Sequence, residues 1–384
     1  MTALLVRILD FLQTGFPLHW FGVSETRVRG FRDSAWKRPP GAEGGCVWFH
    51  ASSLGELEML RPLMDDFLDR GQKVGVSVFS DSALSGLLEL AGRCVYAGLS
   101  PNEAAWGELF LHFQVRKLIL AKYDLWPGMI RSAGSLRIPV LVINARVRKS
   151  FRLMQCLFLF QRLPEFHLFG SSPIENGVVS GIPIRKGMDP RWERVCRRME
   201  SASRETSPRV VVWKERIARL PRPIWMIGSA WPEDLEWLLP ALRGAVGGVV
   251  VVPHSLAPSN LERIQTLLSP IPEERVLVIP EMGILVELYA EADFAFVGGG
   301  FGKGIHSLIE PASYGIPVAS GPVGVSKFPE AKELSDAGVY STLGSDSERM
   351  GWFHHSAGRT RDSRFLSEKR AQYRALLEEC LRIR

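Results

Sequence analysis

The sequence predicts an α/β protein of two domains, each with a parallel sheet. Three observations predict it. From Cys46 onward, short apolar runs of strand type alternate with segments of helical apolar spacing. The alternation occurs twice, before and after a charge-dense stretch at 183–223 that proline brackets. The length, 384 residues, exceeds one typical domain and suits two of moderate size. Strands alternating with helices imply a parallel sheet covered on both faces. Ligands of such sheets bind outside the carboxyl ends of the strands. Chemistry is therefore expected in the loops after strands, with the two domains facing a cleft.

Residues 1–22 are apolar but interrupted by Arg7, Asp10 and Pro17. Their uninterrupted runs fall far below the ~20 residues that span a bilayer, and no small-residue cleavage site stands out. Two readings stay open: a helix packed on the first domain, or an interfacial helix with Leu4, Leu5, Ile8, Phe11 and Leu12 dipping into lipid. Arg27, Arg29, Arg32, Lys37 and Arg38 follow, a cluster that anionic head groups attract.

In the first series, Val47 to His50 reads as a strand, Leu57 to Phe67 as a helix, Val74 to Val78 as a strand and Ser82 to Leu90 as a helix. Strands follow at 118–120 and 139–143, and Phe151 to Leu163 reads as a buried helix, with a membrane-facing helix as the alternative. In the second series, strands are expected at 224–227, 248–252, 275–279, 293–297 and 317–319. Helices are expected at 232–244, 258–268, 283–291 and 306–314, and a charged amphipathic helix at 364–384. The domains expected are a membrane-associating segment at 1–22, a first domain at 23–205, a second at 206–363 and the terminal helix.

Hydrophobic residues make up 46% of the chain and charged residues 23%, the balance of an ordinary globular protein with an ample core. The five cysteines are scattered and odd in number, with no CxxC or ligand-spaced pair. That argues against a disulfide framework or a zinc site and fits a reducing compartment. A net charge of +6 hints at anionic partners without choosing among them. No aromatic-plus-basic RNA motif or DNA-reading helix is visible, so no nucleic-acid partner is expected.

Three post-strand loops of the first series carry candidate chemistry. His50-Ala51-Ser52-Ser53-Leu54-Gly55-Glu56 ends the first strong strand and opens a helix. Glu56 either compensates the helix dipole or acts as a general base on an acceptor hydroxyl. Asp124, in Lys122 to Pro127, is an N-terminal cap or a site carboxylate. Asn144-Ala145-Arg146 follows the next strand, where Arg146 is an anion clamp or a surface ion pair.

In the second series the densest signal is Val297 to Pro322. Gly298, Gly299, Gly300, Gly302 and Gly304 lie between an apolar strand and a helical pattern. Such glycines let backbone N–H groups turn toward an anion, and the following helix would aim its N-terminus at a phosphate. Glu310 would then reach ribose hydroxyls. The spacing is neither GxGxxG nor a Walker loop, and a bare structural turn remains the alternative. The ordered set of glycine turn, His306, Glu310-Pro311, Gly315 and Pro317 resembles the nucleotide-sugar half of GT-B glycosyltransferases.

Taken in order, WFHASSLGE, DLWP, NAR, GSAWPEDLE, Pro253-His254 and GGGFGKGIHSLIEPASYGIPVASGP resemble the 3-deoxy-D-manno-octulosonic acid (Kdo) transferases over residues 20 to 340. The resemblance implies a GT-B enzyme at the cytoplasmic face of the bacterial inner membrane. It would move Kdo from CMP-Kdo to a lipid A precursor, with no cofactor and no metal. It implies Glu56 as the base, Ser52, Ser53, Gly55, Asp124, Asn144 and Arg146 on the acceptor side, and Gly228, Ser229, His254, Gly299, Gly300, Gly304, His306 and Glu310 on the donor side. The chain departs from the family pattern in four places. Lys122 stands where an acidic residue is usual, Val252-Pro253-His254 lacks the Arg of the common Pro-Arg-His, Lys303 to Ser307 replaces Gly-Gly-His-Asn, and Gly181 to Lys186 stands in the region of the usual Gly-Asn-Leu-Lys without matching it clearly. A GT-B transferase for another nucleotide sugar, or a catalytically silent membrane-bound relative, are the alternatives.

Overall fold

A computed structural model describes residues 45–383 apart from 91, 102, 123, 146–162, 172–177, 180–181, 205–206, 356–361 and 363. The expectations for residues 1–22, for the helix at 151–163 and for Arg146 thus lie outside the described residues. Among the described residues, no helix is long and apolar enough to cross a membrane. The chain divides into two compact units, Met1–Arg194 with Ala371–Arg384, and Val195–Arg370.

The first unit contains a sheet of β1 (Cys46–Ala51), β2 (Val74–Val78), β3 (Tyr96–Leu99), β4 (Val115–Ala121), β5 (Val140–Ile143), β6 (Phe166–Gly170), β7 (Val178–Val179) and β8 (Ile182–Lys186). Their order is β3-β2-β1-β4-β5-β6-β8-β7, parallel throughout except for the antiparallel β7–β8 pair. The second unit holds β9 (Ile224–Ala230), β10 (Gly248–Pro253), β11 (Val276–Val278), β12 (Phe294–Val297), β13 (Val318–Ser320) and β14 (Tyr340–Thr342). Their order is β11-β10-β9-β12-β13-β14, and all are parallel.

In both sheets the unit's first strand lies in the middle. The second and third strands run off to one side and the fourth, fifth and sixth to the other. The loops after β1 and β4, and after β9 and β12, therefore leave the sheet in opposite directions. This reversal opens a crevice at the carboxyl edge, where ligands of doubly wound sheets bind.

The apolar strands explain themselves by burial on two faces. Trp225, Ile227, Val249, Val251, Phe294 and Phe296 belong to one core cluster of the second unit, and Ile224, Met226, Val250, Val252 and Ala295 to another. Successive residues of a strand point to opposite faces, so continuous runs such as Val249 to Val252 serve both. In the first unit, Trp48 is fully buried and its ring stacks at 5.3 Å on Tyr96 and lies 5.3 Å from Phe113. Its indole Nε1 donates to Ser77 Oγ at 2.9 Å. Gly75, the register partner of Trp48 on β2, leaves room for that ring, and a Cβ there would overlap it. Gly75→Ala is expected to cost ~1–3 kcal/mol through overpacking, read as a lower midpoint in thermal or urea unfolding. An unchanged midpoint would show that the Trp48 pocket yields.

The charge density at 183–223 has a structural origin. It covers two helices, Arg191–Arg204 and Pro208–Ala218. The contact division falls inside the first of these, at Arg194/Val195, earlier than the 205/206 boundary read from composition. Two segments lacked a clear pattern in the sequence. The edge strand Tyr96–Leu99 is only half buried and carries Gly98. The helix Trp106–His112 packs its Trp106, Leu109 and Phe110 into the same core.

The helix expected at 306–314 is a single turn, Ile309–Ala312. Ile305 N–H donates to Val323 O at 3.1 Å, which ties the preceding residues to the loop after β13 in an extended path. So short a helix has little dipole, and the expectation that its N-terminus would favour a phosphate is withdrawn.

Candidate active site

At the first unit's reversal point, the loops after β1 and β4 bring two carboxylates together. Ser52 N–H donates to Glu56 Oε2 at 3.0 Å and to Asp124 Oδ2 at 2.9 Å. Glu56 sits in the first turn of the helix Leu54–Asp69, whose N-cap residue Ser53 makes no side-chain cap bond. Its reach back to Ser52 N–H resembles a capping contact, so the bland and the chemical readings of Glu56 use the same geometry. Asp124 does not cap the helix Pro127–Ser135. That helix takes a bond from Gly128 N–H to Glu103 Oε2 at 2.5 Å instead, which leaves the Asp124 carboxylate with Glu56.

Both carboxylates are almost fully buried. Burial first, then the Glu56 charge and a hydrogen bond with it, raise Asp124 to about 7, against the Ser52 N–H that lowers it. A buried carboxyl raised toward neutrality beside a second buried carboxylate is an arrangement found in acid–base sites. Lys122 Nζ lies 3.9 Å from Glu56 Oε1, so the lysine that departs from the family pattern becomes a cationic neighbour of the pair. Gly55 has nothing within 4 Å of a notional Cβ, leaving open space beside Glu56. Trp126 Nε1 donates to Ser52 Oγ at 3.3 Å, and the Trp126 ring stacks on Phe79 at 4.2 Å. An aromatic pair from the loops after β2 and β4 thus flanks the carboxylates.

Asn144 lies behind this site. It is buried, its Nδ2 donates to Asp189 Oδ2 at 2.8 Å, and its Oδ1 accepts from Ser171 Oγ at 2.6 Å. With both ends of the amide engaged, it orders the scaffold. Asp189 also receives Arg191 Nε and Nη2. Burial works to raise its pKa, but Arg191 and its hydrogen bonds outweigh that and hold it below the usual carboxylate range. Sequence reading missed Asp189, whose Met-Asp-Pro context carries no spacing signal.

In the second unit, Ser229, His254 and Glu310 line a pocket of about 190 Å³ together with Arg198, Met282 and Gly283. Gly228 lies beneath it, where a Cβ would overlap the Tyr289 hydroxyl. His254 stacks on His306 at 4.3 Å and on Trp231 at 4.7 Å. Burial lowers the pKa of both histidines, and His254 lowers that of His306 further, which favours the neutral imidazoles. His306 Nε2 is buried without a protein partner.

The glycine turn is built differently from an open anion cradle. Gly299 N–H donates to Asp234 Oδ2 at 2.7 Å, and Phe301 N–H bonds the same side chain. Gly298 N–H bonds Gly228 O at 2.9 Å, while Gly302 and Gly304 N–H bond Gly299 O at 3.2 and 2.8 Å. The turn's amides are thus largely taken up by the protein's own acceptors. Its glycines are needed for close backbone packing: a Cβ on Gly300 would lie 2.5 Å from the Gly321 backbone, and one on Gly299 would overlap the Gly304 carbonyl. Only Gly302 faces open space. The N–H groups of Gly299 and Gly304, expected to cradle a phosphate, are engaged by Asp234 and by Gly299 O instead.

Backbone strain marks the same edges. Lys122, Asn144 and Ser229 are non-glycine residues with φ of 53°, 53° and 52°, each at the carboxyl end of β4, β5 or β9. Such residues persist where the surroundings over-determine them, and they cluster at functional sites.

Residues 25–169 match the family model described as 3-Deoxy-D-manno-octulosonic-acid transferase (kdotransferase). The chain is 27% identical over 348 residues to a 3-deoxy-D-manno-octulosonic acid transferase of Chlamydia pneumoniae, covering 79% of this chain and 76% of that one. It is 22% identical over 321 residues to a bifunctional glycosyltransferase/methyltransferase of Fusobacterium nucleatum, covering 75% of this chain but spanning only 49% of the relative's length. In fold it matches UDP-GlcNAc 2-epimerase from Neisseria meningitidis with a TM-score of 0.61 at 14% identity, covering 87% of this chain and 99% of that one. Over its first unit and along most of its length the chain is thus similar to Kdo transferases, and its pair of doubly wound sheets matches the GT-B fold.

Proposed function

We propose that the chain is an inverting glycosyltransferase that moves Kdo from CMP-Kdo to a lipid A precursor in lipopolysaccharide biosynthesis, at the cytoplasmic face of the inner membrane. The observation that carries this reading is the Glu56–Asp124 pair at the first unit's reversal point, joined through Ser52 N–H. The first unit takes the acceptor and the second takes the donor.

In the proposed step, Glu56 removes the proton of the acceptor hydroxyl. That oxygen attacks the anomeric carbon of Kdo from the face opposite CMP, and the phosphate leaves with the developing charge. Open space beside Gly55 suits the approach of the hydroxyl. The pocket of Ser229, His254 and Glu310 suits the nucleoside, with the Glu310 carboxylate as an acceptor for ribose hydroxyls. His306 Nε2, which lacks a protein partner, is available to the leaving phosphate when it carries a proton. CMP departs with a single phosphate, so no divalent cation is assigned to the step. Arg146 is the proposed partner of the Kdo carboxylate, and basic residues at 27–38 that of the anionic membrane surface.

The test is transfer from freshly generated CMP-Kdo to a tetraacylated disaccharide bisphosphate lipid, followed by mass spectrometry. Product heavier by one or more Kdo units is expected, with inhibition by CMP and not by UDP. Inhibition by UDP alone would redirect the reading to another nucleotide sugar. CMP binding without product would point to a different acceptor or a silent relative.

A further inference from the structure

Asp234 is fully buried in the first turn of the helix Pro232–Gly244. Its Oδ2 accepts from Trp231 N–H at 2.9 Å and from Gly299 N–H at 2.7 Å, with Phe301 N–H as a further donor. One oxygen therefore ties the loop after β9 to the loop after β12, the two loops that flank the second unit's reversal point. A helix cap alone does not call for this. Asp234 is the third residue of the helix, where a capping box accounts for the Trp231 N–H bond but not for the second bond to Gly299, nor for a charge in a fully buried position. The other oxygen, Oδ1, is buried with no partner, and burial raises the carboxyl's pKa against the N–H bonds that lower it. So costly a group is explained by the number of backbone amides it gathers. The glycines fit the same purpose. A Cβ on Gly298 would lie 2.8 Å from Asp234 Oδ2, and Gly299 takes a left-handed φ of 92°.

We propose that Asp234 is the positioning residue of the donor site: its carboxylate fills the amide nest of the Gly298–Gly304 turn as an internal anion and fixes the turn that the nucleotide sugar meets. The inference rests on the reading of the second unit as the donor side. The consequence reaches the pocket through Trp231. Its N–H is held by Asp234, its ring stacks on His254, and His254 in turn stacks on His306. Releasing the carboxylate frees both the glycine turn and the end of the aromatic stack that lines the nucleotide pocket. Glu233 and Glu236, which face outward to Arg263, do none of this.

The experiment uses the full chain and two readouts, amide hydrogen exchange and CMP binding by calorimetry. In Asp234→Ala, exchange in the peptide covering 298–304 is expected to rise at least ~10-fold and CMP affinity to fall ~10-fold, as loss of charge-assisted bonds to buried amides predicts. Exchange in β10 and β12 stays as in the wild type. Formate, a carboxylate small enough for the vacated space, restores both readouts, which a merely structural lesion would not allow. Asp234→Asn covers the case in which the alanine variant does not fold. It keeps one oxygen acceptor, so both effects are expected in the same direction at about threefold. Unchanged exchange in the turn, or faster exchange with unchanged CMP affinity, overturns the proposal. Failure of the wild type to bind CMP overturns the donor reading instead, and the exchange experiment still reports whether Asp234 holds the turn.

Discussion

Replacing Glu56 by Gln is expected to lower kcat for transfer by about 10²–10⁴-fold, the range lost with a general base, with little change in thermal stability. Gln fills the same volume, and its carbonyl still accepts Ser52 N–H, the bond that Glu56 Oε2 makes at 3.0 Å. What it lacks is basicity. The helix start and the packing of its neighbours Leu57, Leu60 and Met64 are untouched. A group that merely compensated the helix dipole would show the reverse: a stability loss of ~0.3–1 kcal/mol and an unchanged rate. Steady-state kinetics beside a melting curve separates the two readings of Glu56 that its sequence position leaves open. A rate within tenfold of the wild type removes Glu56 as the base. The substitution has a second signature. The Glu56 charge is the next cause after burial that raises Asp124, so any inflection near neutrality in the pH–rate profile should move to lower pH in Glu56→Gln.

Asp124→Asn is expected to make the protein slower and, at alkaline pH, more stable. With its pKa raised to about 7 from 3.8, Asp124 binds a proton in the folded state that the unfolded chain has already released between those values. The folded state holds more protons there, so stability falls as pH rises from about 4 to about 7 and is flat above. Removing the group removes that slope. The gain in Tm over the wild type should therefore be larger at pH 8 than at pH 4, by about 2–4 °C for each kcal/mol recovered.

Catalysis runs the other way. Below about 7, protonated Asp124 donates to Glu56 and occupies the carboxylate that must take the acceptor proton; above, Asp124 is ionised and that donation ends. The wild-type rate should rise with pH through about 7. Asp124→Asn should lose that inflection and run at the low-pH level throughout, because its amide donates at every pH. A variant with the wild-type profile would show that the two carboxylates are not coupled in the reaction. Equal Tm gains at pH 4 and pH 8 would show that Asp124 is not held protonated by the fold.

Much of the architecture was legible in the chain because it rests on local patterns. Runs such as Val249 to Val252 are apolar at every position, which only a strand buried on both faces requires, and β10 occupies that place. The helices Pro232–Gly244 and Pro258–Leu268 agree with their periodicity, each opening on a proline where the missing N–H costs nothing. The candidate residues Ser52, Glu56 and Asp124 were visible as post-strand residues, since a parallel sheet sends its loops to one edge.

Other features needed the third dimension. Ser52 and Asp124 are 72 positions apart and share a hydrogen bond only because β1 and β4 are neighbours in the sheet. No periodicity reports which strands pair. The glycine cluster showed that backbone must come close to something there. It did not show that the partners are a carboxylate from the loop after β9 and the backbone at Gly321. The acidic run Glu233, Glu236 and Asp234 looks uniform in the sequence, and helix phase turns only Asp234 inward to the turn. Local composition thus determined the two sheets and the loops at their carboxyl edges. Which charges meet in those loops, and so which carboxylate holds a proton and which holds a backbone turn, was decided by strand order and burial, because electrostatic energies depend on through-space distance and on exclusion of water.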